Sequence, residues 1–246
     1  MFHSLGQAVR RLRSEASQQD TEERPDEAPT HSVHPGWPEA TPSVRLPAAG
    51  RFTQVIDVRL RPLLRRDGRD WREIRLLDEP YLKPVEPTVP VSWEEAHTKT
   101  AWWSHYLSLR DAASQGLALP FVVEVNGAFA GQVTIGGVQH GAASECWIGY
   151  WVHSAVAGAG IATTACGLGV DHAFTRMGLH RVTATYLPDN PASGKVLAHN
   201  RFRREGYLRR NLNIDGEWRD HVFVAINRED YPTSCIERLR EQERIL

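Results

Sequence analysis

Cysteine is scarce in this chain, and long apolar runs are absent. Three cysteines, Cys146, Cys166 and Cys235, stand in 246 residues. That is too few for a disulfide framework and suits a reducing compartment. No run of about 18 apolar residues occurs, so no membrane span is expected. The opening MFHSLGQAVRRLRSEASQQD has basic residues but no apolar core behind them. It does not read as a secretory signal, and the expected location is the cytoplasm. An excess charge of one sign is also missing. The 29 Lys plus Arg nearly balance 30 Asp plus Glu, a formal net charge of -1. This argues against a dedicated nucleic-acid coat or a polybasic membrane protein. The histidines and cysteines show no zinc-ligand spacing, so no metal is expected. A phosphate loop ending in Gly-Lys-Ser or Gly-Lys-Thr is absent as well, since Gly194-Lys195-Val196 does not qualify.

What remains is ordinary for a globular protein, with 41% hydrophobic and 24% charged residues. Six of the 15 prolines fall between Pro25 and Pro47. Acidic residues cluster from Glu15 to Glu27, and large aliphatic residues are few. Such a segment buries too little apolar surface to offset its ordering entropy. Residues 1–50 are therefore expected to be a weakly ordered extension, with a short helix over Leu5 to Ala16. A single domain is expected over 51–232, and a charged tail with room for a helix over 233–246.

Order is expected from Val55. VIDVRLRPL reads as a strand, and Trp71, Ile74 and Leu77 follow at helical spacing. Ser92 with Glu95 forms a capping box, and Trp93, Ala96, Thr100, Trp103 and Leu107 predict one helical face closed by Gly116. Asn126-Gly127 between Phe121–Val125 and Ala128–Ile135 predicts a hairpin. Glu145–Val152 reads as a buried strand. No Asp, Glu, Lys or Arg occurs from Cys146 to Val170. The helix beginning near Ile161, with Ala165, Leu168 and His172 on one face, is thus expected to press against a sheet. Arg181–Leu187 predicts a strand. Asn190-Pro191 opens a helix as N-cap and first position. A closing hairpin turns at Asp215-Gly216. The order implies an α+β fold, a mixed and mostly antiparallel sheet with helices on both faces.

The segment with most chemistry is strand, glycine loop, helix: YWV-HSAVAGAG-IATTACGLGV. Glycines at a helix N-terminus let main-chain N–H groups close on a phosphate. A dinucleotide fingerprint would place Gly or Ala where Thr163 stands, and an acidic residue where Tyr186 and Leu187 end the next strand. An acyl-CoA pyrophosphate needs only the amides and the helix dipole.

From Trp147 to Asn227 the chain resembles the GCN5-related N-acetyltransferases, and within them the branch of ribosomal-protein alanine N-acetyltransferases. The resemblance rests on Ile148-Gly149-Tyr150-Trp151-Val152, Gly158-Ala159-Gly160-Ile161-Ala162-Thr163 and Leu179-His180-Arg181-Val182. It continues in Asn190-Pro191-Ala192-Ser193, Phe202-Arg203-Arg204-Glu205-Gly206 and Trp218-Arg219-Asp220-His221. More loosely it reaches back to Val55. It implies a sheet splayed at the strand that binds the cosubstrate, acetyl-CoA. Trp151 and Val152 would offer main chain to pantetheine. The amides of Ala157, Gly158, Ala159, Gly160, Ile161, Ala162 and Thr163 would hold the pyrophosphate. Asn190 would touch the pantetheine arm, and Ser193 would lie near the thioester sulfur.

Four positions depart from the family. Ala155 and Ala157 replace the usual Gln or Arg, which leaves the phosphates to main chain. Arg201 replaces a Gly before Phe202, which suggests a less tight turn. Leu197 stands where many relatives outside the branch carry a tyrosine acid.

The implied reaction is attack of a neutral amine on the thioester. An α-amine has a pKa near 8, so a base is required. Glu145 is the candidate base, two residues before Trp147 on the same strand face. Asp220 with His221, and His140, are further candidates. Ser193 is the candidate acid for the thiolate, and the N–H of Val152 a candidate oxyanion donor. Trp102, Trp103 and Trp147 could line an acceptor pocket. The basic cluster of Arg201, Arg203, Arg204, Arg209 and Arg210 reads as a solvated edge, and no direct nucleic-acid or membrane partner is expected.

The leading expectation is N-acetylation of a protein N-terminal α-amine, of the ribosomal-protein alanine type. A GNAT enzyme for a small amine, an amino sugar or a lysine side chain stays open beside it, as does a non-catalytic CoA-binding module. Either a monomer or a homodimer would serve.

Overall fold

The computed structural model describes residues 34–49, 52–230 and 232–246. Among these, eight strands form one sheet: β1 (Val44–Leu46), β2 (Ile56–Pro62), β3 (Ala118–Val125), β4 (Ala128–Gln139), β5 (Glu145–Val152), β6 (Arg181–Tyr186), β7 (Arg203–Ile214) and β8 (Glu217–Asn227). Their order is β1-β2-β3-β4-β5-β6-β8-β7. Every neighbouring pair is antiparallel except β5 with β6. The helices are α1 (Gly68–Leu77), α2 (Glu79–Leu82), α3 (Trp93–Ala96), α4 (Lys99–Ser114), α5 (Ile161–Thr175), α6 (Pro191–His199) and α7 (Cys235–Glu241). A parallel pair needs a crossover, which α5 supplies. None of the described helices is long and apolar enough to cross a membrane.

The two sheet faces are packed differently. Cys146, Ile148, Tyr150 and Val152 of β5 alternate onto the face covered by α5. Trp151 joins Phe129 and Val122 on the other face, against Trp71, Ile74, Trp102 and Tyr106 of α1 and α4. Small residues let α5 come close. A Cβ on Gly169 would lie 2.8 Å from Ile148 Cδ1, and one on Gly167 would lie 2.8 Å from Asn200 Oδ1. The expected hairpins form at Asn126-Gly127 and Asp215-Gly216, whose φ angles are all positive.

Four expectations need correction. First, residues 34–49 belong to the fold rather than to a loose extension. Trp37 is buried, with its ring edge-on to Phe121. Gly36 C=O bonds His172 Nε2 at 2.8 Å. Thr41 Oγ1 accepts from Leu60 N–H, and β1 pairs with β2. The segment has no core of its own, but it supplies single anchors to one already formed. Residues 1–33, including the expected helix over Leu5–Ala16, lie outside the described residues.

Second, the helix opened by Ser92 is two helices. The capping box forms, yet α3 ends at Ala96. His97 Nδ1–H donates to Trp93 C=O at 2.6 Å, the acceptor that a continuing helix would give to the main-chain N–H of His97. Thr98 then caps α4 through Ala101 N–H. The buried face becomes Trp102, Tyr106 and Ala113, while Leu107 is exposed.

Third, 233–246 forms the helix it had room for, but packed onto the fold rather than trailing as a charged tail. Ser234 and Glu237 form a capping box, Cys235, Leu239 and Ile245 are buried, and α7 packs on α5. Asp171 accepts the N–H groups of Cys235 and Ile236 at 2.7 and 3.2 Å.

Fourth, the turn before Phe202 is as tight as a glycine would make it. Arg201 adopts φ 61°, and Phe202 N–H reaches Leu197 C=O at 3.0 Å. The arginine carries the strain of the left-handed conformation. Replacing it relieves that strain, so Arg201→Gly is expected to stabilise the fold by about 1 kcal/mol, read as a raised urea midpoint with unchanged slope.

Candidate active site

The pairing of β5 with β6 covers Glu145↔Arg181, Cys146↔Val182 and Trp147↔Thr183, then stops. β4 continues to pair with β5 as far as Val152, and β8 continues to pair with β6 as far as Tyr186. Among the described residues, Ile148 to Val152 therefore have no strand neighbour on the β6 side. This is a wedge whose walls carry main-chain N–H and C=O groups, the geometry that an amide-bearing pantetheine arm can join.

The wedge opens onto the glycine loop. After a short 3₁₀ turn, Ser154–Val156, the chain passes through Ala157, Gly158 and Ala159 to Gly160, the N-cap of α5. Gly158 and Gly160 have φ of 79° and 80°. A Cβ on Gly158 would meet nothing within 4 Å, so glycine is required there by conformation rather than by space. No side chain caps α5, and its first turn holds no acidic residue. The leading N–H groups of Ile161, Ala162 and Thr163 are thus unpaired within the helix and backed by its dipole. Leu46 of β1 lies 3.4 Å from where a Cβ on Gly160 would stand.

On the far wall, α6 brings in the second set of residues. Asn190 Oδ1 caps Ser193 N–H at 3.1 Å. Ser193 Oγ lies 3.0 Å from the Tyr150 hydroxyl, which also donates to Ser193 C=O. Burial holds the Tyr150 phenol well above its ordinary pKa, hence protonated. The hydroxyl pair bridges the wedge. Val152 packs against the α5 side, while the Trp151 indole turns away to Phe129 and Arg75, so Trp151 offers the wedge only its main chain.

Glu145 sits at the closed end of the wedge, with its carboxylate 3.6 Å from Arg181 Nε. Glu145 and Val152 are at opposite ends of β5, seven residues or about 23 Å apart. They cannot serve one carbonyl together, which corrects that pairing of base and oxyanion donor. Asp220 and His221 do not pair with each other. Asp220 caps Arg210 N–H at 2.7 Å, and His221 is buried with Nδ1 near Arg219 C=O. His140 lies on an exposed loop. Trp102 is core, and Trp103 carries Arg65 over its ring at 4.6 Å. Among the described residues no group of three or more His, Cys, Asp or Glu could hold a metal.

Sequence reading missed one residue that organises the loop. Asp78, just past α1, is fully buried and accepts Ser154 N–H at 2.8 Å, Ser154 Oγ at 2.6 Å and His153 Nδ1 at 2.8 Å. Asp78 also stands as N-cap of α2, an ordinary place for Asp, so nothing local marked its contact with the loop. It ties α1 to the first residues of the glycine loop.

The α1–α4 side holds a dense aromatic cluster. Arg75 lies over the rings of Trp71, Trp93 and Trp151 and is neutralised by Glu86. His105 stacks on Trp71 with a ring separation of 5.3 Å, and its Nε2 is buried without a partner among the described residues. Burial, then the Arg75 charge, push its pKa down to about 4.

Three outcomes are expected. Gly160→Ala forces a side chain into positive φ and should cost about 1–2 kcal/mol while weakening acetyl-CoA binding in a titration. Asp78→Ala strands buried donors and should cost about 3 kcal/mol in denaturant unfolding. The third outcome concerns pH. The folded pKa of His105 is below its unfolded value, so the unfolded state binds the extra proton between pH 6.5 and 4. Stability is full above about pH 6.5 and falls by about 3 kcal/mol as pH drops to 4. Asp171, raised to about 6 chiefly by burial, works in the opposite sense over an overlapping range. The difference between wild type and His105→Phe cancels that contribution. The variant should lack one proton's worth of slope across this window.

Comparison with known proteins agrees with this geometry. Residues 57–203 match the acetyltransferase (GNAT) domain family. The [ribosomal protein uS5]-alanine N-acetyltransferase of Escherichia coli is 30% identical over 154 residues, 61% of this chain and 77% of that protein. The structure of Mycobacterium smegmatis RimJ in complex with CoA-disulfide is 46% identical, with a TM-score of 0.81, across 87% of this chain and 99% of that one. The ribosomal-protein-S5-alanine acetyltransferase of Vibrio fischeri is 28% identical, with a TM-score of 0.64, across 72% and 96%. With its splayed β5, glycine loop and Ser193 wall, the chain belongs to the GCN5-related N-acetyltransferases, in the RimJ/RimL-like branch, and is an acetyl-CoA-dependent N-acetyltransferase.

Proposed function

We propose that this enzyme acetylates the N-terminal α-amine of a protein in the cytoplasm, with a ribosomal protein of the alanine type as acceptor. The observation that carries the reading is the likeness to RimJ over 99% of that chain's length, with the splayed strand, loop and α6 wall all present.

In this reading acetyl-CoA enters the wedge. Its pyrophosphate rests on the amides from Ala157 to Thr163, and its arm pairs with β5 and passes Asn190. The amine attacks the thioester carbonyl. A C–N bond forms, the C–S bond breaks, and the amine proton passes through intervening water to Glu145. A main-chain N–H in the unpartnered stretch of β5 stabilises the oxyanion. With Glu145 as base, that donor lies nearer the closed end than Val152. Ser193 passes its proton to the departing thiolate, and the Tyr150 hydroxyl holds Ser193 Oγ in place for this step.

Free-thiol release from acetyl-CoA with short peptides of differing N-terminal residue tests the reading. Turnover should depend on an N-terminal Ala or Ser. Ser193→Ala and Glu145→Gln should each lower kcat about 10²-fold, with acetyl-CoA affinity nearly unchanged. Tight acetyl-CoA binding without release on any peptide would overturn the peptide reading and point to a small amine or to a non-catalytic module.

A further inference from the structure

Trp147 is the last residue of β5 paired to β6, so it stands at the closed end of the wedge. It shares a strand face with Glu145 and Trp151, and Trp151 packs on the α1–α4 side, opposite α5. Unlike the clustered indoles of Trp71, Trp93 and Trp102, it remains 47% exposed. Its seating is specific. A Cβ on Gly136 would meet its ring carbons at 2.2 Å, one on Gly137 would meet its pyrrole atoms at 2.8 Å, and one on Gly149 would meet the ring at 3.5 Å. The indole therefore lies flat across main chain cleared of side chains on β4 and β5. One ring face is seated and the other is open.

Glu145, two residues before Trp147 on the same strand face, belongs to a cluster that carries negative charge. Arg181 pairs with both Glu145 and Glu205 and also donates to Asn227 Oδ1 at 3.0 Å. One guanidinium against two carboxylates leaves the cluster one charge short of neutral. An indole face attracts cations and planar groups, and a net negative neighbour strengthens the preference for cations.

Resting on the N-terminal reading above, we infer that Trp147 is the platform on which the acceptor chain lies, and that it selects acceptors with a basic side chain next to the reacting N-terminus. The acceptor amine reaches the thioester while the following side chain stacks on the indole. Trp147 binds acceptor and takes no part in proton transfer.

The test uses the full chain and three peptides identical except at the second residue: Ala-Arg, Ala-Gly and Ala-Glu. Free-thiol release supplies KM and kcat for wild type, Trp147→Ala and Trp147→Phe. Wild type should favour Ala-Arg over Ala-Glu at least tenfold, mostly through KM. Trp147→Ala should erase that preference, through a raised KM for Ala-Arg that brings its kcat/KM level with that of Ala-Glu. Trp147→Phe should keep part of it. Titrating wild type with Ala-Arg should quench tryptophan emission, and Trp147→Phe should lose that quench. Thermal melts confirm that the variants fold, since the replaced ring is half exposed. Peptide turnover with the Arg preference intact in Trp147→Ala would overturn the platform and leave the N-terminal reading standing. No turnover on any peptide by wild type would overturn the N-terminal reading, and the platform with it.

Discussion

The end of strand pairing at Trp147↔Thr183 is the constraint on which the rest of the molecule depends. Interrupting a ladder inside a protein leaves N–H and C=O groups without partners, which a folded chain tolerates only where something else supplies them. Two independent attachments hold the walls apart. β6 is tied to β8 through Tyr186, and β5 is tied to β4 through Val152. The approach of β4 to β5 is close enough to require Gly131, where a Cβ would fall 2.2 Å from Trp151 C=O. The wedge is thus a feature of tight packing on its outer sides. The hydroxyl contact of Tyr150 with Ser193 spans it without closing the ladder.

The two faces of β5 divide the labour. Toward α5, small and aliphatic residues permit the helix to lie close, which sets the distance from strand to anion loop. Toward α1 and α4, indoles and a neutralised Arg75 build a stiff wall around Trp151. Alternation along one strand therefore sends Tyr150 to the α5 side and Trp147 to the α1–α4 side. A one-residue slip of register would exchange them, which makes the glycine bed under Trp147 and the α5 contact at Ile148 mutually dependent.

The parts of this arrangement legible in the sequence are those with local causes. β5, the start of α5, the Asn190 cap and both hairpin turns follow from neighbouring residues, and the structure places them as expected. The errors share a different cause, interactions across long separations. Trp37 and Leu46 look like residues of a proline-rich extension until Phe121 and Gly160 are seen beside them. The break after Ala96 depends on an imidazole reaching back to Trp93 C=O. Arg201 in place of glycine suggests a less tight turn, yet the hydrogen bond from Phe202 to Leu197 imposes a tight one. Asp78 bonds residues 75 and 76 positions away, beyond any periodic signal.

Those distant contacts bear directly on how the anion site works. With alanine at Ala155 and Ala157, the loop offers an anion only main-chain N–H groups and the α5 dipole. A long cationic side chain can adjust to a displaced loop, whereas a row of amides cannot, because their directions are set by φ and ψ. Binding by main chain alone therefore transfers the demand for precision to whatever holds the loop. Here that is Asp78 at its entry and Leu46 beneath Gly160. Asp78 closes α1, and Leu46 belongs to the strand at the edge of the sheet. The glycine loop is consequently held by residues distant from it in sequence, and with main chain alone facing an anion their placement matters.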